Sequence, residues 1–136
     1  KEFVLIDDYA HHPTEIKATL ASAKAYAKAM GFDSIKAIWQ PHKYSRTVDN
    51  LEGFRQCFDG VDELVILPVY SAGETPKVID FETAFSHCRP RFTSKITCKA
   101  NEVSFEEKTL GEIRYNKGLV IGFGAGDITY QLRGQT

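Results

Sequence analysis

Residues 3–15 read FVLIDDYAHHPTE, and this stretch decides the fold because it passes directly from an apolar run to a polar turn and then to a helix start. The continuous apolar run from Phe3 to Ile6 is typical of a strand buried on both faces. Pro13 and Thr14 suit the first turn of a helix, which we expect to end at Gly31. The residues expected on the buried face of that helix are Ile16, Leu20, Ala23, Ala27 and Met30.

Strand and helix signals alternate along the rest of the chain. Further strands are expected at Ile35–Trp39, Glu63–Pro68, Lys95–Cys98 and Leu119–Gly122. Further helices are expected at Val48–Phe58, with Thr47 as its N-cap, and at Phe81–Cys88, Val103–Tyr115 and Asp127–Leu132. Strands that alternate with helices form a mainly parallel sheet with right-handed crossovers. The sequence therefore predicts one α/β domain over residues 1–136, Rossmann-like, with helices on both faces of the sheet.

The composition excludes several classes of partner. The chain of 136 residues has 17 basic and 18 acidic side chains and a formal net charge of -1, which gives no electrostatic footprint for nucleic acid or an anionic membrane surface. No apolar run approaches the roughly 18 to 20 residues that span a bilayer, and the N-terminus has no secretory pattern. The wide spacing of Cys57, Cys88 and Cys98 favours reduced thiols. We expect a cytoplasmic protein, and the abrupt start at Lys1 predicts a fragment of a longer chain.

Polar and turn-forming residues cluster in four segments that follow expected strands. These segments are Asp7–Glu15, Gln40–Arg46, Tyr70–Thr75 and Gly122–Asp127. Loops that follow parallel strands share one edge of the sheet, which is where open α/β folds bind ligands. The sequence therefore predicts that the four loops converge on one site.

The first two segments carry groups suited to hydroxyls and anions. Asp7 and Asp8 can accept hydrogen bonds from hydroxyl groups, while the start of the following helix offers N–H groups to an anion. His42, Lys43 and Arg46 place three potential cations in one short loop, and Arg46 can bind a carboxylate or phosphate through two parallel hydrogen bonds. In the alternative interpretation, the acids only cap the helix and the basic loop is solvated.

The other two segments are rich in turn residues. Gly73 and Pro76 are consistent with simple turn chemistry, with Glu74 solvated or capping a helix. The glycines of the 122–127 segment permit close approach of the backbone to a ligand. They do not form a dinucleotide fingerprint, and the chain has no G-x-x-x-x-G-K-[ST] loop for ATP phosphates. No metal site is expected, since Pro13 interrupts any helical ligand spacing among the histidines.

Taken together, the four segments resemble the C-terminal domain of the Mur ligases over essentially the whole chain. The matching motifs are DDYAHHPTE at residues 7–15, QPHKYSR at 40–46, YSAGE at 70–74 and GAGD at 124–127. The double histidine and the PHKYSR loop are most similar to the branch that adds L-alanine. The sequence departs from that branch at Lys43, where arginine is usual, and at Ser71, where alanine is frequent. Lysine keeps the charge of arginine but loses its planar fork, which weakens the expectation of a carboxylate contact there.

The resemblance implies one part of an ATP-dependent amide-forming ligase of peptidoglycan precursor synthesis. Such an enzyme has an N-terminal domain for the UDP-sugar and a central ATPase domain, and its third domain, the part expected here, closes over both. The implied reaction activates the carboxylate of UDP-N-acetylmuramate as an acyl phosphate, which the amine of L-alanine then attacks. ATP and Mg²⁺ would be held mainly by the central domain, so the isolated third domain is expected to be inactive.

The resemblance also implies roles for individual residues. Asp8 is expected to contact the ATP ribose, and Tyr9 and His11 to lie in the amino-acid and acyl-phosphate region, with His11 as the catalytic residue. The residues expected to bind the alanine carboxylate are His42, Lys43 and Arg46. The residues expected to line the same pocket are Gly124, Ala125, Gly126 and Asp127.

Two alternatives remain open at this point. The recycling ligase, which attaches a whole tripeptide to UDP-N-acetylmuramate, shares the double histidine but normally lacks the P-H-x-Y-S-R loop. The second alternative is a freestanding α/β module that binds a small anionic ligand on the same loop edge.

Overall fold

The computed structural model describes residues 3–134, which form a five-stranded sheet, a three-stranded sheet, one helix of 18 residues and several short helices. In chain order the elements are β1 (Phe3–Asp8), α1 (Pro13–Met30), β2 (Ile35–Trp39), α2 (Tyr44–Asp49), α3 (Leu51–Cys57), β3 (Glu63–Ile66), α4 (Phe81–Ala84), a 3-10 turn (Ser86–Cys88), β4 (Pro90–Phe92), β5 (Thr97–Lys99), β6 (Glu102–Glu107), β7 (Gly111–Tyr115), β8 (Gly118–Phe123) and α5 (Asp127–Leu132). No helix among residues 3–134 is both long enough and apolar enough to cross a membrane.

The larger sheet has the order β1-β8-β2-β3-β4, and each neighbouring pair is parallel. All six residues of β8 are buried, because this strand lies between β1 and β2 and is covered on both faces. Its continuous apolar sequence is what a strand without a solvent face requires. The predicted α/β class with a mainly parallel sheet is confirmed.

Helix α1 begins and ends where the sequence predicts. Pro13 occupies its first turn, and Gly31 closes it in the left-handed conformation with φ of 78°. Four of the five residues expected on its buried face are buried, but Met30 is 46% exposed. Met30 is the last residue of the helix, and at this end of the buried face its side chain reaches solvent.

One face of the parallel sheet is packed around Trp39, at the end of β2. The Trp39 ring lies 4.9 Å from the Phe54 ring and 5.2 Å from the Phe58 ring, measured between centroids. The Phe85 ring lies 5.3 Å from the Trp39 ring and also contacts the Phe58 ring, at 6.4 Å. Tilted aromatic pairs at these separations add to the stabilisation that area burial provides. The cluster joins α3 and the segment after α4 to the centre of the sheet.

The other face is covered by α5 and by the three-stranded antiparallel sheet, β5-β6-β7. Val103 and Phe105 of β6 and Tyr115 of β7 pack there against Val65 and Val120. The Tyr115 hydroxyl donates a hydrogen bond to Glu63, which also accepts one from Arg91. Burial opposes ionisation of Glu63, yet these hydrogen bonds hold the pKa of its carboxyl below the usual value. An ionised group at the start of β3 therefore connects the two sheets.

The helix predicted over Val103–Tyr115 is wrong, because the structure has a β-hairpin there. Every second residue of β6 is buried, namely Val103, Phe105 and Glu107, which is the period of two expected for a strand. Glu107 accepts hydrogen bonds from the backbone N–H groups of Thr109 and Leu110 and so stabilises the hairpin turn. Gly111, interpreted as a helix interruption, follows this turn with φ of 80°.

Two other boundaries differ from prediction. The single helix expected over Val48–Phe58 is two helices, and Thr47 is a buried residue inside α2 instead of an N-cap. Its hydroxyl donates to the carbonyl of Lys43, which satisfies the side chain within the helix. The strand expected at Lys95–Cys98 is β5 of the small sheet, whereas the fifth parallel strand is β4, at Pro90–Phe92.

Burial in the parallel sheet predicts the cost of truncating a leucine there. We expect Leu64→Ala, which removes a fully buried β3 side chain, to lower the free energy of unfolding by about 2–5 kcal/mol. Leu110→Ala, at a side chain that is 64% exposed, is the matched control and should change it by less than about 0.5 kcal/mol. Urea denaturation followed by the fluorescence of the single tryptophan measures both. Equal effects would contradict the assignment of the core.

Candidate functional site

The loops after β1, β2, β3 and β8 meet at the carboxyl edge of the parallel sheet, as the sequence predicts. The backbone N–H of Gly124 donates to the carbonyl of Asp8 at 3.1 Å, which joins the loops after β8 and β1. The N–H of Gln40 donates to the carbonyl of Phe123 at 3.0 Å, which joins the loops after β2 and β8. Their relative places are therefore fixed by the main chain of neighbouring strands.

Gln40 is buried between three of these loops, and the sequence pattern predicts no role for it beyond membership of its segment. Its amide Nε2 donates to the carbonyl of Pro68 at 3.3 Å, and its Oε1 accepts from the N–H of Ile128 at 3.0 Å. Only 4% of its surface is exposed. A buried amide with both ends satisfied holds the end of β2, the segment after β3 and the start of α5 together. No local pattern in the sequence distinguishes it from a surface glutamine.

The cationic loop after β2 is folded so that Arg46 and His42 contact each other. A terminal guanidinium nitrogen of Arg46, Nη1, donates to His42 Nδ1 at 2.9 Å. Because a guanidinium only donates, Nδ1 is the acceptor and the neutral imidazole carries its proton on Nε2. Within residues 3–134, no carboxylate forms an ion pair with Arg46. The guanidinium and the Nε2–H of His42 are thus donors available to an anionic ligand.

The protonation state of His42 follows from its surroundings. Burial disfavours the imidazolium, and the charges of Arg46, His11 and Lys43 disfavour it further, while Glu74 acts in the opposite direction. The net effect lowers the pKa of His42 below its ordinary value. At neutral pH the positive charge of this loop therefore comes from Arg46 and Lys43, and His42 contributes a neutral donor.

His11 lies on the opposite side of the same space. Its ring centroid is 5.8 Å from that of His42, although the two residues are 31 positions apart in the chain. His11 Nδ1 donates to the carbonyl oxygen of Tyr9 at 2.9 Å, and its Nε2 makes no hydrogen bond with residues 3–134. The structure therefore brings the imidazole rings of the loops after β1 and β2 together.

Asp8 is the last residue of β1, and Tyr9 begins the loop that follows it. Asp8 Oδ1 accepts the N–H of Ala10 at 2.7 Å, while its Oδ2 accepts no hydrogen bond from residues 3–134. Tyr9 is 57% exposed. Asp7 forms an ion pair with Arg133, beyond α5, at 3.4 Å. Of the two adjacent acids, Asp8 is the one that forms no ion pair within residues 3–134.

The turn after β8 is built from glycines that other residues contact closely. Gly124 has φ of 150°, and a Cβ there would lie 2.7 Å from the Ile128 side chain. A Cβ on Gly126 would lie 2.5 Å from the Tyr70 ring. Both distances are shorter than side-chain packing allows, so the turn requires glycine at these places. Ala125 is half-buried between them, and Asp127 is exposed at the start of α5.

The loop after β3 is hydrogen-bonded to the cationic loop. The Tyr70 ring is stacked on His42 at 5.2 Å between centroids. Lys43 N–H donates to the carbonyl of Tyr70 at 2.8 Å, and Glu74 accepts hydrogen bonds from the backbone N–H and the hydroxyl of Ser45. Of the two interpretations of Glu74 that the sequence left open, helix capping is confirmed.

A separate concavity of about 430 Å³ lies between β5 and α5. Its lining includes Cys98, Tyr130 and Gln131, and the sole predicted site residue among the lining residues is Asp127. Burial raises the pKa of the Cys98 thiol to about 11, so the thiol is protonated and unreactive at neutral pH. This concavity is therefore distinct from the place where the four loops meet.

Comparison with known proteins gives a family and several relatives. The family model described as "Mur ligase, glutamate ligase domain" matches residues 1–118. A UDP-N-acetylmuramate--L-alanine ligase of Campylobacter curvus (strain 525.92) is 55% identical over 134 residues, covering 98% of this chain and 31% of the relative. The Helicobacter pylori (strain HPAG1) protein of that name is 53% identical over 136 residues, covering 97% of this chain and 30% of the relative.

This chain therefore spans about a third of the length of the curated relatives it matches. A family match over residues 1–118 and more than half identity to these relatives agree with the resemblance of the four loop motifs. The chain belongs to the Mur ligase family.

Proposed function

We propose that this chain is the C-terminal domain of an ATP-dependent ligase that joins L-alanine to UDP-N-acetylmuramate in peptidoglycan precursor synthesis. In this proposal the full-length protein has an N-terminal UDP-sugar domain and a central ATPase domain, acts in the cytoplasm, and uses an acyl-phosphate intermediate. The domain described here orients the amino acid and closes over ATP. Support comes from the names of relatives at 50–55% identity.

The single observation that carries the amino-acid role is the pairing of Arg46 with His42. Arg46 has no carboxylate partner within residues 3–134, and His42 holds it at 2.9 Å while keeping its own Nε2–H free. Two neighbouring donors, one of them charged, suit the carboxylate of a free amino acid. Lys43 adds a second positive charge to the same loop. We assign His42, Lys43 and Arg46 to the alanine carboxylate.

The remaining residues that we assign to the site lie in loops at the same carboxyl edge of the parallel sheet. His11, whose ring lies 5.8 Å from that of His42, and Tyr9 would face the amine and the acyl phosphate, and His11 is the residue we assign to catalysis. Gly124, Ala125, Gly126 and Asp127 would line the pocket. Holding amine and acyl phosphate together removes part of the entropic barrier to their reaction, and closure protects the acyl phosphate from water.

ATP fits this domain only in part. Asp8 has one carboxylate oxygen free to accept hydrogen bonds from the ribose hydroxyls, which supports its assignment as a nucleotide contact. The chain has no P-loop, so the phosphates and Mg²⁺ would be held mainly by the central domain. When bound, the nucleotide supplies the phosphoryl group that activates the muramate carboxylate.

The experiment that tests this proposal is ATP-dependent phosphate release by the full-length protein with UDP-N-acetylmuramate. We expect release that depends on free L-alanine, because the cationic loop is suited to a single amino-acid carboxylate. The 136-residue chain alone should release none. A preference for the tripeptide L-Ala-D-Glu-diaminopimelate would assign the protein to the recycling branch, and a lack of release with either acceptor would favour a binding module.

Arg46→Ala in the full-length protein tests the carboxylate contact. Loss of a charge-assisted hydrogen bond costs about 1.5–3 kcal/mol, so we expect KM for alanine to rise about 10- to 100-fold. KM for ATP should change less than about 3-fold, because the contact that is removed binds alanine and not ATP. Arg114→Ala, at an arginine whose ion pairs are with Glu102 and Glu112 in the small sheet, is the control. Equal increases for both substrates would contradict the assignment.

The ionisation of His42 gives an independent test. Since Arg46 is one of the causes that lower its pKa, we expect Arg46→Ala to raise the pKa of His42. The imidazole C–H resonances of the 136-residue chain, followed by NMR as the pH is lowered, should then shift at a higher pH. Arg114→Ala should leave that titration unchanged. An unaltered His42 titration in Arg46→Ala would show that the two side chains do not interact in solution.

A further inference from the structure

We infer that Glu74 is a positioning residue for the amino-acid site, acting through Ser45 on the places of His42 and Arg46. The inference rests on the proposed function and deepens it. Glu74 lies in the loop after β3, 29 positions along the chain from Ser45. One carboxylate oxygen, Oε1, accepts the backbone N–H of Ser45 at 3.1 Å, and the other, Oε2, accepts the hydroxyl of the same residue.

The helix that carries Arg46 is too short to order itself. Helix α2 has six residues, and its N-cap position, Lys43, makes no side-chain hydrogen bond to the helix start. Isolated helices of this length are unstable in water, because nucleation fixes several residues for one hydrogen bond. The exposed N–H groups of its first turn need acceptors, and a carboxylate there is also favoured by the helix dipole. Glu74, which lies outside the helix, supplies an acceptor for one of these N–H groups and a negative charge near the start of the helix.

The backbone just before α2 is in a conformation that side-chain-bearing residues rarely adopt. Lys43 has φ of 72° and ψ of 135°, outside the common regions for non-glycine residues. Such a residue persists only where surrounding contacts hold it. The N–H of Lys43 itself donates to the carbonyl of Tyr70. Two residues further along the chain, the N–H of Ser45 donates to Glu74. His42 and Arg46 lie on either side of this bend, so its geometry determines the distance between them.

Glu74 acts through Ser45 and not on a ligand directly, because both of its oxygens are used by that residue. The hydrogen bonds from Ser45 lower the pKa of Glu74, which keeps the carboxylate ionised at neutral pH. The loop after β3 makes its other links to this region through main-chain groups and the Tyr70 ring. Glu74 therefore provides a side-chain link to the start of α2 that a substitution can remove without altering the backbone or the stacked ring.

The test uses steady-state kinetics of the full-length protein. We expect Glu74→Ala to raise KM for alanine about 10-fold, with KM for ATP and kcat changed less than about 3-fold, since a displaced carboxylate site weakens alanine alone. Glu74→Gln retains one acceptor for Ser45 and should show an intermediate increase. Because Ser45 transmits the effect, the double variant of Ser45→Ala with Glu74→Ala should resemble Glu74→Ala alone. Glu52→Ala, at an exposed acid of the adjacent α3, is the matched control.

Several outcomes would overturn the inference. These are an unchanged KM for alanine in both Glu74 variants, equal increases for alanine and ATP, or effects of Ser45→Ala and Glu74→Ala that simply multiply. If the unmutated protein shows no alanine-dependent turnover, the proposed function is rejected instead. Amide hydrogen exchange of residues 43–49 in the full-length protein then tests whether Glu74 orders α2 and the bend before it. Faster exchange in Glu74→Ala than in Glu52→Ala supports this role of Glu74, and equal exchange overturns it.

Discussion

The rest of the structure depends on the parallel register of β8 between β1 and β2. Asp8 lies opposite Phe123, and Phe123 lies opposite Trp39, so three strands end at the same level. Each following loop therefore starts from the same edge, and main-chain hydrogen bonds carry that alignment into the loops. This central position requires β8 to be apolar throughout, because a strand at the centre of a covered sheet has no solvent face. The chemistry of the loops is thus positioned by residues that have no polar side chains.

The site is completed by contacts between loops that are distant in the chain. Besides the main-chain hydrogen bonds, Gln40, Tyr70 and Glu74 provide side-chain contacts, through an amide, a ring and a carboxylate. None of the three needs to touch a ligand to influence the site. Their effect is to give the short α2 and the bend at Lys43 a single arrangement, in which Arg46 and His42 are paired. Binding groups on short elements require this kind of support, because such elements have little stability of their own.

The sequence predicts the main strands, helix α1 and the convergence of the four loops, because these depend on local patterns: continuous apolar runs, Pro13 and Gly31 at helix ends, and the shared edge of a parallel sheet. The hairpin at 102–115 differs from the predicted helix because Glu, Lys, Leu and Arg, which favour helices, make up half of this segment, whereas the strand period shows in only three buried positions of β6. Strand β4 has three residues, too few for a period to appear. The contacts of Glu74 with Ser45 and of His11 with His42 join segments roughly thirty positions apart, and no local pattern encodes which partners meet across that separation.

Gly126 has a consequence for how this site can vary among related sequences. The space that a side chain at position 126 would need is filled by the Tyr70 side chain, and the ring of Tyr70 is also stacked on His42. A larger residue at position 126 is therefore compatible only with a smaller one at position 70, which would remove the support from the imidazole. The two positions are expected to covary, and the pair constrains the cationic loop even though neither residue carries a charge.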